Sequence, residues 1–365
     1  MPMRYRSVLF LLAGLGAACG RGSRGPDPAG AITPTAAITL LAQLSNDSLQ
    51  GRMTGTPGAD RAAALIAREM ERIGLQPAGD SGYFQRVPYV LRLVEREGRP
   101  PRLLVRPVPS FAALDTVPEE RRRVSVNVLG ILPGSDPGLR DEHVLVDAHY
   151  DHIGAANQPV NACNAIGADS ICNGADDDAS GVVAVLLVAR AMARGLAPRR
   201  TIIFAAMTGE EIGLTGARWY LEHPTLPLDQ MIANLEIEMI NRPDSLAGGP
   251  GKAWLTGYER STMGDSLAAH GIPLVPDPRP NQGFFQRSDN YALALRGIVA
   301  HTISSFNLHA DYHRPSDEAS RADSVHLAAV IAAVARATRL LADGPKPQWK
   351  PGGKPEPAPP RPPSP

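Results

Sequence analysis

Residues 144–154 read VLVDAHYDHIG, and a short loop later residues 173–181 read NGADDDASG. Val144 to Ala148 is apolar or small apart from Asp147, with Asp141 and Glu142 just ahead of it, and has the make-up of a buried strand. His149, Asp151 and His152 stand at the carboxyl end of that strand. Strand side chains alternate between faces, so His149 and Asp151 share one face and Tyr150 takes the other. A metal-ligating imidazole needs an acceptor on its second nitrogen to fix tautomer and ring direction, and an adjacent carboxylate supplies one. A histidine satisfied locally at a strand end is the plainer reading of this stretch taken alone.

The second stretch shifts the balance. Asp176, Asp177 and Asp178 are adjacent, and carboxylates so close repel one another unless a cation or a helix N-terminus absorbs the charge. Ala179-Ser180-Gly181 opens an apolar helical run, VVAVLLVARAMA, with Ser180 as the expected N-cap. The run stops at Gly195, with Arg190 and Arg194 in its last turns. A solvated acidic turn and a calcium loop remain as alternatives, although the D-x-D-x-D-G spacing of a calcium-binding loop is absent.

The 365 residues are 43% hydrophobic, with Lys+Arg and Asp+Glu both at 37. Such a length suits one large domain or two modest ones. Neutral overall charge gives no reason to expect nucleic acid or an anionic membrane as a partner. At the N-terminus Arg4 and Arg6 precede an apolar run from Val8 to Leu15, then Gly16-Ala17-Ala18 and Cys19. The run is too short to span a bilayer, and reads as an export signal over residues 1–19. A cysteine directly after small residues is similar to a lipoprotein processing site, which makes Cys19 an acylated membrane anchor and the mature protein periplasmic or membrane-attached. Gly16 stands where such sites usually carry leucine, so plain cleavage and secretion stay open. In an exported chain, Cys163 and Cys172 are expected to form a disulfide. Zinc-binding thiolates are the alternative, but the paired C-x-x-C spacing is lacking.

Residues 20–35, rich in Gly, Pro and Ser, are expected to be a flexible linker. Residues 36–342 form the single predicted domain. The Pro-rich stretch 343–365 is expected to be a disordered tail. Val87 to Val105 reads as short strands broken by EREGRPP. From Val124 onward, strands alternate with helices: TIIFAAM (201–207) before Thr208-Gly209-Glu210-Glu211, MIANLEIEM (231–239) around Glu238, and a final helix over 323–341. The pattern predicts an α/β fold, a three-layer sandwich with a mostly parallel central sheet, whose ligand site lies at the strand carboxyl ends. Glu210-Glu211 and Glu238 fall at such ends, and Tyr312-His313-Arg314-Pro315 adds a second histidine in a loop.

The ordered series H-Y-D, G-A-D-D-D-A-S-G, T-G-E-E-x-G-L-x-G, I-E-M-I-N-R-P, S-D-N-Y and Y-H-R-P-S-D resembles the M28 zinc aminopeptidases, and the likeness extends from Ala36 to Leu341, including the SLQGRMTGTPGADRAA opening. The resemblance implies a zinc-dependent exopeptidase fold holding two Zn²⁺, other divalent cations being alternatives, and a peptide substrate. It implies that His149 ligates one zinc, with Asp151 as its orienting carboxylate. Asp177 matches the bridging carboxylate. Glu210 matches the general base and Glu211 a ligand of the second zinc. Glu238 stands where most members carry an aspartate sharing the zinc of His149, and His313 matches the remaining ligand, with Tyr312 stabilising the oxyanion. Two departures are the longer Glu238 and Asn290, where many members have histidine. The resemblance also leaves room for a carboxypeptidase-type member, a single-zinc glutaminyl cyclase, or a non-catalytic binding domain with a decayed site.

Overall fold

The strands β5 (His143–His149), β6 (Thr201–Met207) and β7 (Met231–Ile237) are buried along their whole lengths. Continuous apolar strands of this kind need cover on both faces, which parallel sheets receive from helices. In the computed structural model, which describes residues 27–96 and 99–356, they run parallel in the order β6-β5-β7, followed by β10 (Ala300–Ser304), also parallel. Among the described residues the sheet has ten strands. Beyond β6 it continues antiparallel through β4 (Arg122–Leu132), β2 (Phe84–Arg96) and β3 (Arg99–Pro107), with β1 (Gln76–Pro77) paired to β4. Beyond β10 come β8 (Ala253–Leu255), antiparallel to it, and β9 (Leu274–Pro276). The centre is therefore parallel, as the alternating pattern predicts, while β4, β2 and β3 on one flank pair antiparallel and β8 on the other joins β10 antiparallel and β9 parallel.

Helices cover both faces. α1 (Pro34–Leu44), α2 (Pro57–Ile73), α3 (Ser180–Arg194), α5 (Thr262–Ala269) and α7 (Ser324–Asp343) share one apolar core with the sheet, and α4 (Thr215–Glu222) and α6 (Asn290–Leu295) share the other. Pro57 at the first position and Gly74 in the left-handed conformation delimit α2. α7 has the length and apolarity of a membrane span, yet most of it is buried against α1 and α3 as a core helix.

Three expectations change. The strands on either side of EREGRPP are long rather than short: β2 and β3 divide within that stretch and pair antiparallel along their lengths, with a register shift between Val94 and Arg96. The linker reaches less far than residue 35, because Asp27 pairs with Arg336 at 2.8 Å and α1 begins at Pro34. The stretch from 344 to 356 is not a loose tail: Trp349 donates its indole N–H to the Gly297 carbonyl at 2.9 Å and packs on Phe285 and His301. Composition alone could not show that one tryptophan anchors a Pro-rich segment. The export signal, Cys19 and residues 357–365 lie outside the described residues.

His143, His301 and His326 are each 0% exposed. His301 contacts the Thr256 carbonyl and the Ser261 hydroxyl, both at 2.7 Å, and burial lowers its pKa to about 4. Burial also lowers His143 to about 4. A base with a folded pKa below its unfolded value lets the unfolded chain bind protons first, so this stability is present above pH ~6.5 and lost as pH falls toward 4. For His301 the shift corresponds to about 3 kcal/mol. In metal-free protein, the melting temperature is expected to fall over this interval and to fall less steeply in His301→Gln; equal slopes would contradict the assignment.

Candidate metal centre

The parallel strands deliver the site. His149 ends β5, Glu210 and Glu211 follow β6, Glu238 follows β7, and His313 sits in the loop after β10. Their convergence at one end of the sheet is what the strand-end rule requires. Gly209, with φ of 74°, makes the turn that brings Glu210 round, and a Cβ there would collide with the hydroxyls of Thr215 and Tyr89.

Two donor groups form, with ligand atoms in each within 4.8 Å of one another: His149, Asp177 and Glu238 in one, and His152, Asp177, Glu211 and His313 in the other. Asp177 belongs to both. One of its oxygens lies 3.3 Å from His149 Nε2, and the other lies 3.0 Å from His313 Nε2 and 3.7 Å from His152 Nδ1. Glu211 Oε1 is 2.9 Å from His152 Nδ1 and 3.2 Å from His313 Nε2. Despite these approaches, His149 Nε2, both ring nitrogens of His152, His313 Nε2 and Glu211 Oε1 are buried without a hydrogen-bond partner. Buried polar atoms rarely go unsatisfied. Atoms that crowd together without being aligned as donor and acceptor fit a cation between them, and an imidazole–carboxylate set suits zinc.

The three adjacent aspartates have separate tasks. Asp178 accepts from the Gly181 and Met239 amides at 2.9 and 3.0 Å, and Asp176 accepts from the Asn241 amide at 2.9 Å and faces His309 at 2.8 Å. Only Asp177 is left pointing at the imidazoles of the two donor groups. Burial works against its charge, but His152, His149 and His313 hold its carboxyl well below the usual range. Ser180 does not cap α3. It is already helical, donating to the Asp176 carbonyl and accepting from Ile240 N–H, while Asp178 takes the amide of Gly181.

His149 Nδ1 lies 3.1 Å from the backbone carbonyl of Asp151, nearer than the 3.8 Å to that residue's carboxylate. The Asp151 carboxylate instead accepts from the Thr54 hydroxyl at 2.8 Å and from the Glu210 amide at 3.2 Å. It thus ties the Glu210 turn to β5. Burial, reinforced by Glu211 and opposed by His149, raises the Glu210 pKa well above the carboxylate range. Burial and the neighbouring Glu236 push Glu238 up to about 8. Tyr312 stacks on His313 with ring centroids 3.9 Å apart and lines a cavity with Glu210, Glu238, Trp254, Phe284 and Phe306. Asn290 faces away, its amide group donating to the Phe285 carbonyl at 3.1 Å. The Cys163–Cys172 disulfide is formed, in the loop flanking the site.

Two residues of the site were given no role by the sequence reading. His152 was placed at the strand's carboxyl end with nothing to say that it was buried. Arg52, in the Gly-rich opening, is 1% exposed. Its guanidinium donates to the carbonyls of Tyr150 (2.7 Å), Leu44 (2.6 Å), Asn173 (2.6 Å) and Gly174 (3.0 Å). Among the described residues it meets no carboxylate directly, and burial lowers its pKa to about 10, against the pull of Asp177 and Asp178.

The profile of peptidase family M28 matches residues 127–338. The vacuolar membrane protease of Aspergillus clavatus is 29% identical over 208 residues, 55% of this chain and 19% of that protein. Probable leucine aminopeptidase 2 of Aspergillus fumigatus is 28% identical over 183 residues, 49% of this chain and 32% of that one. The matches thus span about a fifth to a third of these relatives. Among solved structures, an aminopeptidase from Aneurinibacillus sp. strain AM-1 shares the fold with a TM-score of 0.61 at 15% identity, covering 87% of this chain and 96% of that one. The glutaminyl cyclase of Porphyromonas gingivalis does so with 0.55 at 14% identity, over 84% and 97%. With the profile extending from β4 through α7 and the motif residues gathered at one end of the sheet, the chain belongs to peptidase family M28.

Proposed function

We propose that the protein is a metallo-aminopeptidase holding two zinc ions. His149, Asp177 and Glu238 would hold one, and Asp177, Glu211 and His313, with His152 beside them, the other. The observation that supports this most directly is the pair of complete donor groups sharing Asp177. When bound, two such cations activate water and polarise the scissile carbonyl. Glu210 takes the proton of the attacking water and passes it to the leaving amine, a role suited to a carboxylate whose proton affinity burial has raised. Asp151 holds the Glu210 backbone through its amide and aligns His149 through its own carbonyl. Tyr312, kept protonated by burial and nearby carboxylates, donates its hydroxyl hydrogen to the developing oxyanion. Export, with a lipid anchor at Cys19, is supported by the composition of residues 1–19 and suits the disulfide.

The test is metal content and turnover on one sample. About two zinc ions per chain and chelator-sensitive hydrolysis of free-amine aminoacyl-nitroanilides are expected. About one zinc with cyclisation of N-terminal glutamine would support the cyclase reading, which the Porphyromonas neighbour keeps in view. Cleavage of N-blocked but not free-amine dipeptides would favour carboxypeptidase polarity.

A further inference from the structure

On the Glu211 side of the centre, a groove of about 300 Å³ runs along β3. Five consecutive residues, Arg102 to Arg106, border it. Strand side chains alternate between faces, so an unbroken run of neighbours can line one groove only where the strand presents its backbone edge. β3 is the terminal strand and, among the described residues, pairs with β2 alone. Every second N–H and C=O along its outer side is therefore unpaired in the sheet. The facing wall is mostly apolar, with Met53, Ile153, Ala162 and Ile212 beside the polar Asn161, and Glu211 lies in the same lining. Arg102 and Arg106 flank the run, and neither forms an ion pair among the described residues. On the Glu210 side lies the aromatic cavity of Trp254, Phe284 and Phe306. The Glu210–Glu211 turn thus separates two depressions of different character, one walled by side chains and one by a strand edge.

We propose that the β3 edge binds the substrate residues on the carboxyl side of the scissile bond as an added strand, so that the preferred substrates are extended oligopeptides rather than dipeptides. The proposal rests on the aminopeptidase reading. Main-chain hydrogen bonds to β3 supply affinity with little sequence demand, and the apolar wall receives alternate side chains. The two arginines favour acidic residues in the downstream segment.

Binding is tested with the zinc-loaded Glu210→Gln protein and peptides of two to six residues sharing one N-terminal residue. The dissociation constant is expected to fall at least about tenfold from dipeptide to pentapeptide, as two or more added main-chain hydrogen bonds provide. Backbone N-methylation should cancel that gain at one set of alternating downstream amides and leave the intervening set unaffected. Arg102→Glu with Arg106→Glu should reverse the preference between acidic and basic downstream residues in the same binding series. Affinity independent of length would overturn the proposal, as would indifference to every N-methyl group. So would a dimer in sedimentation that peptide does not dissociate, which would assign the edge to a second copy. Absence of wild-type nitroanilide turnover would count against the aminopeptidase reading alone, because the binding series needs no turnover.

Discussion

Glu210→Gln is expected to lower turnover about 10³- to 10⁴-fold, the range a positioned acid–base group contributes, while leaving metal content and melting temperature close to those of the wild type. Glutamine keeps the size and shape of the side chain. The Glu210 amide still donates to Asp151, so the turn after β6 stays in place. Glu210 belongs to neither donor group, so the metals lose no ligand. What disappears is the raised proton affinity that burial and Glu211 create. The pH profile should change with the rate, because the limb governed by the base vanishes with it. Single-turnover kinetics and metal analysis on one preparation decide the matter, and a variant within about tenfold of wild type would move the base to another residue.

Asp177→Asn should act on the metals instead. It is the one residue common to both donor groups, and its two oxygens face different histidines. Loss of even an outer partner of a ligand typically costs about 10–100-fold in metal affinity. The substitution is therefore expected to weaken both sites by more than about a hundredfold, whereas His313→Gln weakens one. Competition with a chromophoric chelator separates the cases. Two-step metal release from Asp177→Asn, with the first site at wild-type affinity, would show that the carboxylate is not shared.

Much of this was legible in the chain because strand ends announce themselves. The apolar runs ending at His149, Met207 and Ile237 are short and bounded by Gly or charged residues, so the groups after them had to meet at one edge of a parallel sheet. Which of three adjacent aspartates joins the two donor groups could be named only by resemblance. The structural reason is that the Gly181, Met239 and Asn241 amides claim Asp178 and Asp176, and two of those partners come from the segment after β7. His152 and Arg52 were hidden for a common reason: long-range packing sets burial, and no periodicity marks an isolated histidine after a strand or an arginine in a glycine-rich turn. The Pro- and Gly-containing stretch after Glu95 did mark the division between β2 and β3, but not how far each strand extends from it, which the pairing with neighbouring strands sets.

Arg52 ties together pieces that are remote in sequence: the end of α1 at Leu44, the residue after β5 at Tyr150, and Asn173-Gly174 leading into the aspartates. A polypeptide restricted to 127–338 would carry every candidate ligand yet lack the one side chain that gathers three of its carbonyls. Buried carbonyls left open in this way are costly, so such a fragment is expected to bind metal poorly although its ligand inventory is intact. In this chain the N-terminal segment is the keystone of the candidate site, and a truncation or fusion that begins downstream of Arg52 is expected to lower metal binding without touching a single candidate ligand.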